Sequence, residues 1–169
     1  MGFLPMLEVN GTKVSQTLAC IHLAAAISGI QPADPVEAAK VQEIVVTTVD
    51  LISAILTVDY GALSVEAKAE ATTKLATSVR RGLNVLEACL QAQGHSSSSE
   101  DMCLFVGSEV TAADLSVLNF LDAMRLRGGP ITDLSEWPLV QRNFEGIQAI
   151  PTIAEFLRVR LERGQASKF

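Results

Sequence analysis

Cysteine, histidine, aromatic residues and basic clusters are all scarce in this chain of 169 residues, and each scarcity excludes something. Cys20, Cys89 and Cys103 make an odd count with no CxxC spacing, and His22 and His95 are the only histidines available to join them. That set supports neither a disulfide framework nor a zinc site, so no metal is expected. The three cysteines sit among apolar neighbours and read as small core residues, and His22 reads as a packing or surface residue. No basic cluster exceeds the pair Arg80-Arg81, and thirteen Lys and Arg against nineteen Asp and Glu give a net charge of -6. Nucleic-acid binding driven by phosphate contacts is therefore not expected. The purely apolar runs, such as Leu23 to Ile27, fall far short of the roughly 18 to 20 residues a bilayer requires, so no membrane span is expected. The first charge is Glu8, and no positive segment followed by a long apolar stretch opens the chain. A secretory signal is not expected, and the cytoplasm is the default location.

What is present is a globular composition. Apolar residues make up 49% of the chain and charged ones 19%, and the mean hydropathy is +0.31. Disorder is excluded, and the length suits one domain or one domain and part of another. Proline is absent between Pro35 and Pro130, an interval broken by turn signals at 59–61, at Gly94-His95 with the serines 96–99, and at 106–108, which predicts three helices. The first opens at Asp34-Pro35-Val36-Glu37, with Asp34 as N-cap, Pro35 at the first helical position and Glu37 completing a capping box. It runs to about Val58, with Val41, Ile44, Val45, Thr48, Leu51, Ile52 and Ile55 at helical spacing.

The second helix takes Ser64 as its cap and ends near Gln93 with Gly94 beyond it; Leu75, Val79, Leu83, Leu86 and Leu90 share one face. Gly82 inside it either weakens the helix or admits a close neighbour. The third is introduced by Thr111, with Asp114 reaching back to the cap amide and Val110 stapling to Leu115. Gly128-Gly129-Pro130 ends it. Trp137 to Ile150 and Pro151 to Arg163 read as two further helices. Ahead of all these, extended stretches at 4–9 and 12–15 flank Asn10-Gly11, the preferred pair for a type I′ hairpin turn, and a helix follows from Gln16 to Ser28, closed by Gly29.

In this order the fragments resemble the cytosolic glutathione S-transferases, most closely the sigma, alpha and pi branch, and the resemblance spans essentially the whole chain. Leu4-Pro5-Met6-Leu7-Glu8-Val9, Asn10-Gly11 and Val14-Ser15-Gln16-Thr17 follow the family's cis-proline strand, turn, strand and ligand-binding helix start. Thr111-Ala112-Ala113-Asp114 after Phe105-Val106-Gly107 matches the capping box of its buried sixth helix, a structural feature, and Ile150-Pro151-Thr152-Ile153 resembles the start of its last helix. The implied fold is mainly α: residues 1–30 as the C-terminal part of a thioredoxin-like glutathione-binding domain, a β-hairpin plus helix, and residues 34–169 as the all-helical C-terminal domain.

The resemblance implies glutathione as co-substrate, held by Pro5, Met6, Gln16 and Thr17, with Thr17 in place of the family's usual Ser. A cis proline exposes the next residue's backbone to a peptide-like ligand, and a helix N-terminus favours a carboxylate such as that of the γ-glutamyl group. Asp50 aligns with an acidic residue that in some relatives reaches the glutathione amine of the partner subunit, and Tyr60 falls where the wall of the hydrophobic substrate site is expected. The Tyr, Ser or Cys that activates the glutathione thiol lies in the family's first strand, which the resemblance puts upstream of residue 1. The expectation is therefore an N-terminally truncated chain with no catalytic residue of its own and little or no activity, from a transferase that conjugates glutathione to electrophilic or lipid-like substrates in detoxification, as a homodimer. A non-catalytic interaction or dimerisation module is the alternative. The terminal Ser167-Lys168-Phe169 departs from the peroxisomal Ser-Lys-Leu signal at its deciding position.

Overall fold

A computed structural model describes residues 4–61, 64–96 and 102–162, and six helices follow a two-stranded sheet. Strands β1 (Met6–Val9) and β2 (Thr12–Ser15) pair antiparallel in the register Met6↔Ser15, Leu7↔Val14, Glu8↔Lys13, Val9↔Thr12. The turn between them has positive φ at both Asn10 and Gly11, 50° and 78°, as a type I′ turn requires. β1 begins two residues later than the extended stretch read from the sequence, and the Leu4–Pro5 peptide bond ahead of it is cis.

Helix α1 (Thr17–Ser28) ends in a left-handed cap at Gly29, where the amides of Gly29 and Ile30 bond back to Ala26 and Ala25. Ala25 is the only fully buried residue among the described ones before Val41. α2 (Pro35–Tyr60) carries the expected buried stripe of Val41, Ile44, Val45, Thr48, Leu51 and Ile55, and continues two residues past the predicted end because Val58 extends that stripe. Its cap is one-sided. Asp34 Oδ1 accepts from the amides of Val36 and Glu37 at 2.9 Å each, and no return bond from Glu37 exists among the described residues, so the predicted capping box is only half formed. α2 is also long and apolar enough to cross a membrane by composition, which its interrupted apolar runs did not signal; that apolarity serves its packing on α3 and α4.

α3 (Val65–Ala92) starts at Ser64, whose hydroxyl accepts from the Ala67 amide, and buries Leu75, Val79, Leu83, Leu86 and Leu90 as predicted. Gly82 admits a close neighbour: a Cβ there would lie 2.5 Å from Leu51 Cδ1 of α2. α4 (Ala112–Leu126) is the central helix, and Ala112, Ala113 and Asp114 at its start are buried. Its cap is the full capping box read from the sequence, with the Thr111 amide on Asp114 Oδ2 at 2.9 Å and the Ala113 amide on Thr111 Oγ1 at 3.3 Å. α5 (Pro138–Ala149) and α6 (Pro151–Glu162) complete the bundle, each with proline at its first position.

α5 has no local side-chain cap. Glu87 of α3 substitutes, accepting the Leu139 amide at 3.1 Å and the Val140 amide at 3.0 Å. α6 is the exception to burial, since none of its residues is fully enclosed. The cysteine expectation needs correcting at Cys20. Cys103 is fully buried and the half-buried Cys89 packs against the core, whereas Cys20, also half-buried, lies where α1 meets the hairpin and sends its thiol to the carbonyl oxygens of Val14 and Pro5. The serine turn beyond Ser96, the predicted α6 end at Arg163, and Ser167-Lys168-Phe169 lie outside the described residues.

Candidate functional site

The residues singled out near the N-terminus meet the helical part of the chain at one cavity. Its volume is about 380 Å³. Pro5 and Thr17 line one side, Ile52, Ile55 and Leu56 of α2 a second, and Ala123 and Leu126 of α4 the floor. Asp122, Arg127 and Arg160 supply its charges. Two neighbouring cavities, of about 310 Å³ between α4 and α6 and about 360 Å³ between α1 and α4, share Asn119 with it, so one apolar furrow follows the exposed side of α4.

Local sequence explains why the N-terminal side is open. Gln16, between β2 and α1, has φ 84° and ψ 132°, a conformation sparsely populated by residues other than glycine. Its side chain makes no cap bond, and the first turn of α1 holds no acidic residue. The leading amides of α1 therefore keep their partial positive charge uncompensated by side chains at Thr17. Met6, 40% exposed, follows Pro5 on the strand.

The charged side is dominated by ion pairs. Arg127 meets Asp59 at 2.7 Å and stacks on the Tyr60 ring at 5.4 Å from its centroid. Burial opposes the Arg127 charge, but hydrogen bonds to Tyr60 and Asp59 outweigh it and hold the guanidinium above its ordinary pKa. Arg160 of α6 pairs with Asp122 of α4, both side chains being 12% exposed, and its face lies 6.0 Å from the Phe156 centroid.

Of the residues predicted for the site, Pro5 and Thr17 line this cavity, and Met6 and Gln16 adjoin them in the chain. Asp50 does not reach it and sits on the exposed side of α2. Tyr60 is 63% exposed and lies outside the lining, with its hydroxyl accepting from Arg127. Thr111 and Asp114 lie away from the cavity, inside the core. Asp114 accepts from the Phe105 amide at 3.1 Å and the Asn143 amide group at 2.9 Å as well as from Thr111.

The reading of the sequence missed Asp122, Arg127 and Arg160. A signal existed for two of them. Asp122 follows Leu115 and Leu118 on the apolar side of α4, and Arg160 follows Ile153, Phe156 and Leu157 on that of α6, so each is a charge at an apolar position.

Comparison with known proteins agrees with this architecture. Rat (Rattus norvegicus) glutathione S-transferase alpha-4 is 27% identical over 166 residues, which cover 96% of this chain and 68% of the relative. A glutathione S-transferase structure from Ascaris lumbricoides superposes with TM-score 0.74 at 23% identity, covering 93% of this chain and 74% of that one. The Necator americanus glutathione S-transferase described as monomeric gives TM-score 0.74 at 23% identity, with coverage of 93% and 74%. A family model described as "Glutathione S-transferase, C-terminal domain" matches residues 49–160, the stretch from α2 to α6 that builds the helical wall of the cavity; the chain belongs to the glutathione S-transferase family.

Proposed function

We propose that this chain carries part of a glutathione site and the wall of the adjoining electrophile site of a transferase. The observation that supports the reading is the cavity in which Pro5 and Thr17 face the apolar residues of α2 and α4. Residues 1–30 act as the glutathione-binding part and 34–169 as the helical domain. The backbone of Met6 on β1 pairs with the peptide-like centre of glutathione, in the manner of strand addition. The hydroxyl of Thr17 and the leading amides of α1 receive the γ-glutamyl carboxylate, a position that the backbone of Gln16 fixes.

The chemistry is attack of the glutathione thiolate on an electrophilic or lipid-like substrate lying over Ile52, Ile55 and Leu56. No residue of this chain is assigned the activation of that sulfur. In a cytoplasmic homodimer, Asp50 on the open side of α2 is assigned to the glutathione amine of the second subunit, and the exposed Tyr60 to the outer wall of the substrate site.

Binding of S-hexylglutathione by calorimetry tests the reading. Saturable binding is expected, weakened about tenfold, or about 1.4 kcal/mol, in Thr17→Val. No saturable binding, or binding indifferent to Thr17, overturns it.

A further inference from the structure

The two-stranded sheet leaves the outer edge of β1 without a strand partner among the described residues. Val9 and Thr12 flank the two-residue turn and exchange hydrogen bonds, so the antiparallel alternation makes Leu7↔Val14 the next bonded pair. Met6 and Glu8 therefore turn their N–H and C=O groups outward, away from β2. The two strands differ in what guards their outer edges. β2 carries Lys13, a residue type that discourages strand addition, whereas apolar side chains flank the edge of β1, with Leu4 88% and Met6 40% exposed. Glu8, the charge on β1, is met by Lys13 of the same hairpin at 3.8 Å.

We infer that two copies of this chain pair through β1, antiparallel about a twofold axis at Leu7, and that this pairing competes with glutathione for the Met6 backbone. The register follows from the outward groups and from charge. With Leu7 opposite Leu7 of the second copy, Met6 and Glu8 of one strand stand opposite Glu8 and Met6 of the other, and their outward N–H and C=O groups complete hydrogen-bonded pairs. Each row across the joined sheet then reads Lys13, Glu8, Met6, Ser15, with one charge of each sign. An axis at Glu8 would set two carboxylates directly opposite, and an axis at Met6 would place Glu8 against Leu4, outside the strand. Helix α1 packs on both strands and contains no Asp, Glu, Lys or Arg, so two such helices on one face of the joined sheet bury none of these charges. The contact is a strand edge and the side chains beside it, which makes the association weak and reversible, open to displacement by a ligand that pairs with Met6. The competition rests on the reading of Met6 as a glutathione contact, and the interface is distinct from the α2 side that would bring Asp50 to a second subunit.

Sedimentation equilibrium of the 169-residue chain tests the inference. A monomer–dimer equilibrium is expected between about 5 and about 500 µM, and saturating S-hexylglutathione is expected to weaken it at least about tenfold. Met6→Lys, which sets a cation opposite Glu8 of the second copy, is expected to tighten the dimer about threefold, and Met6→Glu to loosen it about threefold. Opposite effects at one exposed position exclude lost folding as their cause. A monomer at every concentration overturns the inference, as does a dimer indifferent to the charge at position 6, or one that bound S-hexylglutathione leaves intact. Calorimetry on the same samples separates the two readings. Absent S-hexylglutathione binding with both charge effects retained sinks the glutathione reading and leaves the strand pairing standing, whereas binding without any dimer sinks the strand pairing alone.

Discussion

Asn143 of α5 donates to Asp114 of α4 at 2.9 Å in a place where neither residue exposes any surface. The same amide nitrogen reaches the Cys103 carbonyl at 2.6 Å, and Asp114 also receives the Phe105 and Thr111 amides, so one carboxylate joins a helix cap, a neighbouring helix and the segment before the cap. With the Thr111 hydroxyl at 3.0 Å, four donors converge on Asp114, and Asn in its place turns one acceptor oxygen into a donor. Asp114→Asn is expected to cost at least about 3 kcal/mol, because buried donors are left unpaired. Asn143→Ala removes one partner and is expected to cost about 2 kcal/mol. Urea denaturation of both single variants and the double variant checks this, with the double costing clearly less than the sum.

Gly82 and Leu51 form a second coupled pair, through the 2.5 Å that a Cβ at Gly82 would leave to Leu51 Cδ1. Alanine at an exposed helix position would gain about 1 kcal/mol in propensity. Here overpacking against a buried leucine outweighs it, since such insertions cost about 1 to 3 kcal/mol. Gly82→Ala is expected to destabilise by about 1 kcal/mol. With Leu51→Val as background, the same change is expected to become neutral or stabilising, which denaturant midpoints resolve.

These two sites show what was legible in the chain. The Thr111/Asp114 box could be read because a cap and its partner are three residues apart, and the stripe of Leu75, Val79, Leu83, Leu86 and Leu90 because helical period is a local property. Asn143 and Glu87 could not. A carboxylate that caps a helix from 52 residues away leaves no spacing rule behind it, and Glu87 reads as one more charge on a helix until α5 is laid against it. The half-formed box at Asp34 shows the reverse error: the motif was present, but an exposed helix start offers water as a competing partner for Glu37. At the candidate site, Pro5 and Thr17 were legible through a motif and Arg160 left a weak signal as a charge at an apolar position, whereas Arg127 became a site residue only when the end of α4 was laid against Asp59 and Tyr60 of α2.

The thiols supply a pH dependence. Burial pushes both Cys89 and Cys103 up, with Glu43 adding to the shift at Cys89. A thiol whose pKa rises on folding holds its proton more tightly in the native state. Its contribution is therefore complete below the unfolded value, about 8.5, and is lost as pH climbs through the higher folded value. Stability is expected to decline above about pH 8.5, less so in a Cys89→Ala/Cys103→Ala variant compared with itself at pH 7. Urea titrations at the two pH values measure it. Iodoacetamide labelling followed by mass spectrometry is expected to modify the half-buried Cys20 well before Cys103, which reacts only through opening of the core.

Gln16 separates stability from ligand binding. Its φ of 84° and ψ of 132° suit glycine far better than a residue with a Cβ, and holding it there costs on the order of 1 to 3 kcal/mol. Glycine also loses more backbone freedom on folding, by roughly 0.5 to 1 kcal/mol. The balance favours the substitution, so Gln16→Gly is expected to stabilise the hairpin and α1 by about 1 kcal/mol. If the conformation serves glutathione, the same variant loses the Gln16 side chain from the ligand, and S-hexylglutathione is expected to bind at least about fivefold more weakly, equivalent to about 1 kcal/mol. Hydrogen exchange of the α1 amides and calorimetry of the ligand read the two effects separately. Slower exchange with weaker binding supports a strained functional residue, whereas slower exchange with unchanged binding marks Gln16 as a local defect of the turn and removes it from the site.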